Sequence, residues 1–161
     1  MIHGIHHIAI HTPDLSRMMQ FYVGVLGFEE AAPVYEWADN PEIDATIGVE
    51  GSRAKTVMLR AGNCYIELFE YASPAARNAP PLRPNDHGYT HLALEVTDIE
   101  AEYARLSASG MLFARPDVMD GGAIKAVYGK DPDGNVIEIQ QVSDEHPFAF
   151  RHLSPAGRAR S

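Results

Sequence analysis

The chain repeats itself, and the repeat restricts it to two copies of one small topology. His7-Ile8-Ala9-Ile10-His11-Thr12-Pro13-Asp14-Leu15 and His91-Leu92-Ala93-Leu94-Glu95-Val96-Thr97-Asp98-Ile99 share one order: His, apolar, Ala, apolar, a variable stretch, Asp, apolar. A second pair closes each half. Gly62-Asn63-Cys64-Tyr65-Ile66-Glu67-Leu68 answers to Gly134-Asn135-Val136-Ile137-Glu138-Ile139, one residue shorter in the second copy. Each copy therefore opens with a His on an alternating, strand-like segment and closes with a Glu on another.

Between these landmarks the two halves keep the same order. Thr12-Pro13 reads as an N-cap followed by a first helical residue. Leu15, Met18, Met19, Tyr22, Val25 and Leu26 supply a helical apolar face that Gly27 ends. Phe28 to Val34 predicts a short strand, and Lys55 to Leu59 and Cys64 to Tyr71 predict two more around Ala61-Gly62-Asn63. Tyr35 to Gly51 holds the single Trp (Trp37) and has weak periodicity. It predicts a long loop covering a pocket. In the second half Asp98 caps a helix from Ile99 to Ser109, and Met111 to Phe113 begins a strand. Ala123 to Tyr128 and Asn135 to Val142 make a hairpin around Asp131-Pro132-Asp133-Gly134. That turn has the look of a calcium loop but lacks the further ligand spacing, so a tight turn is expected. The fold class is α+β: tandem βαβββ modules forming a curved mixed sheet with a metal-binding concave face. The expected boundaries are a first module at 4–72, a Pro-rich linker at 73–87, a second module at 88–142 and a C-terminal extension at 143–161. Four of the eleven prolines (Pro74, Pro80, Pro81 and Pro84) mark the linker.

Strand alternation sorts the side chains by face. His7, Ala9 and His11 share one face, as do His91, Ala93 and Glu95. Tyr65, Glu67 and Phe69 share a face, as do Val136, Glu138 and Gln140. Ile8, Ile10, Leu92 and Leu94 point the other way, toward a helix-backed core. A lone His or Glu on a strand is ordinarily a surface or edge residue. The recurrence of both at matching places is not ordinary, and a carboxylate inside Ile66-Glu67-Leu68 is costly unless paired or metal-bound. His7, Glu67, His91 and Glu138 are thus the candidate metal ligands. Imidazole with carboxylate suits Zn, Ni, Co, Mn or Fe, and the absence of thiolate ligands argues against a closed structural zinc site. Four protein ligands on a six-coordinate ion leave two positions for a substrate with vicinal oxygens.

Composition excludes other classes. The formal net charge is −9, from 22 acidic and 13 basic residues, which disfavours a nucleic-acid partner. No apolar run approaches the ~20 residues of a membrane span, and Met1-Ile2-His3-Gly4 shows no basic or apolar signal region. One cysteine, Cys64, forms no internal disulfide, and a cytoplasmic location is expected. A homodimer is expected too, with the site formed within one chain or across two copies.

Together His7 to Asp14, Phe21-Tyr22 with Leu26-Gly27-Phe28, Ile66-Glu67-Leu68, His91 to Leu94 and Asp131 to Glu138 resemble the vicinal-oxygen-chelate superfamily. Its members include glyoxalases, epimerases, extradiol dioxygenases and antibiotic-resistance proteins. The resemblance spans about Gly4 to Val142. It implies the ligand positions His7, Glu67, His91 and Glu138, a set similar to that of lactoylglutathione-lyase-type glyoxalases. Those enzymes place an Arg four residues after the first His and an Asn four after the first Glu, where this chain has His11 and Tyr71. Methylmalonyl-CoA epimerases look similar around His6 to Ile10 and place an acidic base near Glu50.

The resemblance thus implies metal-assisted proton transfer next to a carbonyl, by a lyase or isomerase, through an enediolate-like intermediate. Glu67 or Glu138 displaced from the metal, or Glu50 from outside it, would shuttle the proton, and His11, Trp37, Tyr71 and Tyr128 would contact substrate. An Fe(II) extradiol ring-cleaving dioxygenase is the second reading. It draws on His7, His91 and Glu138 with Tyr128, although Met119-Asp120-Gly121 stand where a catalytic His is expected. A non-catalytic, resistance-type binding protein is the third.

Overall fold

The structure, a computed structural model, describes residues 2–77 and 79–153. They form two compact units. Gly4–Ala79 makes one, and the described residues from Pro80 on, with Ile2 and His3, make the other.

The first unit runs β1 (His7–His11), α1 (Leu15–Met19, continued by a π-helical Gln20–Val25), β2 (Glu29–Glu30), β3 (Tyr35–Trp37), α2 (Pro41–Ile47), β4 (Arg53–Ala61) and β5 (Cys64–Ser73). The second runs β6 (His91–Glu95), α3 (Ile99–Ala108), β7 (Leu112–Phe113), β8 (Met119–Asp120), β9 (Ile124–Lys130) and β10 (Val136–Val142). The sheets share one topology. The first has strand order β1-β5-β4-β2 with β3 also on β4, and the second β6-β10-β9-β7 with β8 also on β9. β1 lies parallel to β5 and β6 parallel to β10, while the other pairs are antiparallel. Each copy is thus βαβββ, with its second strand split into two short pieces.

The helices α1 and α3 begin in the same way. Asp14 Oδ1 accepts from the Arg17 amide at 3.0 Å, and Asp98 Oδ1 accepts from the Ala101 amide at 3.0 Å. A side chain of the closing strand takes the first amide of the helix: Glu70 Oε2 from Leu15 at 2.7 Å, Gln141 Oε1 from Ile99 at 3.0 Å. The expected cap at Thr12 is therefore corrected to Asp14. Thr12 is fully buried, its amide donates to Phe69 O at 2.7 Å, and its hydroxyl accepts from the Asp14 amide. It extends the β1 ladder rather than starting the helix.

Helix and sheet meet on one face only. In the first unit Leu15, Met18, Phe21 and Tyr22 are buried, as are Val57, Leu59, Ile66 and Leu68 on β4 and β5. In the second, Ile99 and Leu106 are buried, as are Val127, Ile137 and Ile139 on β9 and β10. Each such side chain contributes about 1.5–3 kcal/mol by leaving water. The expectation that Ile8 belongs to this core is corrected, since it is 39% exposed. β1 is an edge strand with a single ladder neighbour, and the core centres on β4 and β5 instead.

The stretch from Tyr35 to Gly51 is not a loop. It folds as β3 and α2, and the signals for α2 were local: Asn40 Oδ1 caps Ile43 N at 3.1 Å, Pro41 opens the helix, and Gly48 closes it at φ 70°. No α2 residue is buried, so no apolar period announced it. A polar relay holds the segment. Trp37 Nε1 donates to Ser52 Oγ at 2.7 Å, and Ser52 Oγ donates to Asp44 Oδ1. The amides of Gly51 and Ser52 also donate to Asp44, at 2.8 and 3.0 Å. The Ser52 hydroxyl, with those amides, holds the Asp44 carboxyl below its ordinary value of 3.8.

A carboxyl whose pKa is lower folded than unfolded stabilises the fold above the unfolded value. That contribution is lost as pH falls through the folded one. Ser52→Ala is expected to lower stability by about 1–2 kcal/mol and to shift Trp37 emission to the red. In the parent protein the same shift is expected only in acid. Trp37 is the sole tryptophan, so fluorescence reports on it alone.

The remaining turns agree with the sequence. Asp131 Oδ1 accepts from the amides of Asp133 and Asn135, at 3.0 and 2.9 Å, and Oδ2 from Asn135 Nδ2 at 2.8 Å. Both oxygens serve the turn itself. After β10 the described chain runs through turns to a 3-10 turn (Phe150–His152) beside the buried Ala149, with Phe148, Phe150 and Leu153 exposed. The rest of the expected extension lies outside the described residues.

Candidate active site

Each unit brings one His and one Glu together, by identical means. On the first sheet His7 stands opposite Tyr65, and Ala9 opposite Glu67. On the second His91 stands opposite Val136, and Ala93 opposite Glu138. In both, the Glu lies beside the small Ala two residues after the His, on the same face, so the imidazole and carboxylate reach each other over a methyl group. The distances agree: His7 Nε2 to Glu67 Oε2 is 3.3 Å, and His91 Nε2 to Glu138 Oε2 is 3.3 Å. The carboxylates are well covered, with side-chain exposures of 17% and 16%.

Each carboxylate has a hydroxyl neighbour as well. Thr56 Oγ1 donates to Glu67 Oε1 at 3.2 Å. Tyr128 stands directly across the ladder from Glu138, with its phenol facing that carboxylate. Burial pushes the Tyr128 phenol up, and the Glu138 charge and hydrogen bond add to this. Burial, then the Glu67 charge, raises Tyr71 as well. Both phenols are therefore neutral donors at ordinary pH. The Tyr128 ring also meets the His91 ring edge-on at 5.3 Å.

The sheet face that carries Glu67 continues as an aromatic wall. Trp37 packs edge-on to Phe69 and Tyr71, at 6.0 and 5.9 Å, and stacks with Tyr35 at 6.1 Å. Tyr71 meets His11 at 5.6 Å, and His11 Nδ1 lies 3.2 Å from Phe69 O. Three residues expected to contact substrate, His11, Trp37 and Tyr71, are thus neighbours. The fourth, Tyr128, lies on the other His–Glu pair. Glu50 is different: it sits exposed in the turn after α2. Among the described residues no hydrogen bond or ion pair joins Glu50 to the His7–Glu67 pair. Cys64 is half-buried and free, and burial pushes its thiol up, which disfavours the nucleophilic thiolate.

Among the described residues no three His, Cys, Asp or Glu side chains converge on one point; the convergent element is the pair. Imidazole nitrogen and carboxylate oxygen are the donor chemistry of borderline divalent ions, so the residues present fit such an ion. Sequence reasoning missed Thr56, and it missed the residues that hold the second nitrogen of each imidazole, His6 and Thr90. Parity along β4 could have placed Thr56 on the Glu67 face. His6 and Thr90 carry a signal only when the two copies are aligned, because both directly precede the repeated His.

A topology of paired βαβββ units, each with a His–Glu pair on its sheet face, defines a class of protein. The chain belongs to the Glyoxalase/Bleomycin resistance protein/Dioxygenase superfamily, whose model matches residues 4–139. Its relatives include enzymes. A 2-epi-5-epi-valiolone epimerase from Actinomyces is 32% identical over 152 residues, covering 90% of this chain and 82% of the relative. A lactoylglutathione lyase from Haemophilus influenzae is 27% identical over 137 residues, covering 83% of this chain and 88% of the relative. Among solved structures, a glyoxalase family protein from Bacillus cereus matches the fold with a TM-score of 0.77 at 17% identity, covering 89% of this chain and 96% of that one. No helix among the described residues is long and apolar enough to cross a membrane.

Proposed function

We propose that this chain is a divalent-metal-dependent lyase or isomerase that moves a proton next to a carbonyl, on a small molecule with vicinal oxygens. The observation that carries this reading is the duplicated pair: the same residues, at the same ladder positions, at the same 3.3 Å separation, in both units. His7, Glu67, His91 and Glu138 together would hold one ion among Zn, Ni, Co, Mn and Fe. The homodimer remains part of the proposal, because the two pairs could meet within a chain or across two copies.

When bound, such an ion supplies Lewis-acid stabilisation of charge developing on the substrate oxygens. The residues do the rest. Glu67 or Glu138 accepts the proton from the carbon beside the carbonyl and returns it. Thr56 orients Glu67 through a hydrogen bond to its oxygen, and Tyr128 faces Glu138 across the ladder. Neutral Tyr71 and Tyr128 can also donate to substrate oxygens. The aromatic wall of Trp37, Phe69 and Tyr71 offers an apolar face that excludes water. Glu50, exposed and outside the pair, is the weaker choice of base. The name of the Actinomyces relative, an epimerase of a ketone, supports the isomerase arm. The test is exchange of a substrate α-proton in deuterated water by metal-loaded protein. Exchange without oxygen consumption is expected, whereas its absence with 2-oxoaldehyde adducts and hydroxyketones alike would contradict the proposal.

The substrate is expected not to be a glutathione adduct. Glutathione carries two carboxylates, and bidentate Arg contacts are the usual way to hold such groups; His11 and Tyr71 stand where such contacts would come from. Turnover of the methylglyoxal–glutathione hemithioacetal is expected to stay well below ~10⁵ M⁻¹s⁻¹. Efficiency at or above that level would overturn this restriction.

One observation favours the second reading, ring cleavage by Fe(II). Tyr128 touches both His91 and Glu138, where it could act on a catechol. Glu67 weighs against it, since a fourth protein ligand leaves only two positions on a six-coordinate ion for substrate and O₂ together. Anaerobic loading with Fe(II), then catechol and air, separates the readings. Rapid oxygen uptake with a yellow ring-opened product, lost in Tyr128→Phe, would replace the lyase or isomerase with a dioxygenase.

A further inference from the structure

The second nitrogen of each site imidazole is already engaged. His91 Nδ1 lies 3.0 Å from Thr90 Oγ1, and His7 Nδ1 lies 3.0 Å from His6 Nδ1. In both units the partner is the residue directly before the His. Successive strand residues ordinarily point to opposite faces. Here each His is the first residue of its strand, so the preceding residue stands at the strand's start, His6 with its carbonyl still accepting from the Tyr65 amide at 2.9 Å, and its side chain turns back to the ring. The His6 ring is held there by Tyr65, at a centroid distance of 5.2 Å.

Thr and His look unrelated, but they share one property. A threonine oxygen both donates and accepts, and an imidazole nitrogen does either according to its tautomer. A backbone carbonyl or a carboxylate, the common partner of a metal-bound imidazole, only accepts. The distinction matters because the other nitrogen, Nε2, faces a carboxylate at 3.3 Å. When Nε2 carries the proton it can donate to Glu67 or Glu138, and Nδ1 then needs a donor. When Nε2 must offer its lone pair to a cation, the proton sits on Nδ1, which then needs an acceptor.

We infer that His6 and Thr90 are positioning residues that satisfy Nδ1 of His7 and His91 in both tautomers. Each ring can then exchange a Glu-bonded N–H for a metal-facing lone pair without turning. The inference deepens the proposed function in that it uses the same metal site, but the tautomer claim also holds for metal-free protein.

The test compares Thr90→Ser, which keeps the hydroxyl, with Thr90→Val, which keeps the shape and loses it. Co(II) titration of the full chain is expected to show a fall in affinity of about 10–100-fold for Thr90→Val, and parent-like affinity for Thr90→Ser. His6→Leu against His6→Asn is expected to give the same contrast at the other pair. Long-range ¹⁵N correlation of the imidazole nitrogens supplies the second readout. On Zn(II) binding the parent His91 is expected to move its proton from Nε2 to Nδ1. In metal-free Thr90→Val, the His91 nitrogen shifts are expected to change while those of His7 do not. Parent-like Co(II) affinity in Thr90→Val would overturn the inference. So would unchanged His91 nitrogen shifts in that variant without metal, and this second result decides the matter even if the parent protein binds no Co(II) and the proposed function fails.

Discussion

Glu138→Ala is expected to remove tight binding of a divalent ion and to leave the fold in place. The Glu138 side chain is on the face opposite the helix, over Ala93 and across from Tyr128, so its loss opens no core cavity. What it leaves behind is the His91 nitrogen without its carboxylate partner, a cost of about 1 kcal/mol. The effect on the ion is far larger. Residues that only support a metal ligand are worth about 10–100-fold in affinity, so losing a ligand itself is expected to exceed ~100-fold. Isothermal titration with Zn(II) or Co(II), beside circular dichroism of the same sample, checks both halves. A variant that kept parent-like affinity would remove Glu138 from the ligand set. His7→Ala is expected to behave in the same way.

Ile137→Ala, one residue away, is expected to do the reverse. Ile137 is fully buried, with its neighbour Ile139, on the face that packs toward Ile99 and Leu106 of α3. Truncating it removes apolar contacts and leaves a cavity, at a cost of about 2–5 kcal/mol. Urea denaturation measures the loss directly. Below the unfolding transition, the affinity of the folded fraction for metal is expected to match the parent. Two adjacent residues on one strand are thus expected to divide stability and metal binding between them, because strand period assigns them to opposite faces. A stable Ile137→Ala that lost metal would reverse the face assignment.

The duplication was legible because it is written in side chains that topology uses twice: a His opening each first strand, an Asp before α1 and before α3, a Glu on each last strand. Period-two alternation then placed Glu67 and Glu138 on the face of His7 and His91, and both pairs form. Three things were not legible. Edge position was one. Ile8 reads as core by alternation, yet β1 has one neighbour and Ile8 is 39% exposed. The second was α2, whose stability comes from Asn40, Asp44 and Ser52 rather than from an apolar stripe. The third was the partnering of side chains distant in sequence, such as Thr56 with Glu67, Glu70 with the first amide of α1, and Tyr128 with Glu138. Register decides these contacts, and register is fixed only when the strands pair. Thr12 failed for a related reason: a cap residue drawn into the ladder by the Phe69 carbonyl cannot also cap, and Asp14 takes its place.

We propose that the two His–Glu pairs, one from each repeat, serve one ion. Metal stoichiometry tests it most directly, on protein purified without a tag and equilibrated with a limiting divalent ion, for the parent chain and for His7→Ala, Glu67→Ala, His91→Ala and Glu138→Ala. One ion per chain in the parent, and loss of that ion in all four variants, is the predicted result. Two ions per chain, or variants of one pair that retain a full ion while those of the other lose it, would show that the pairs act separately and do not share an ion.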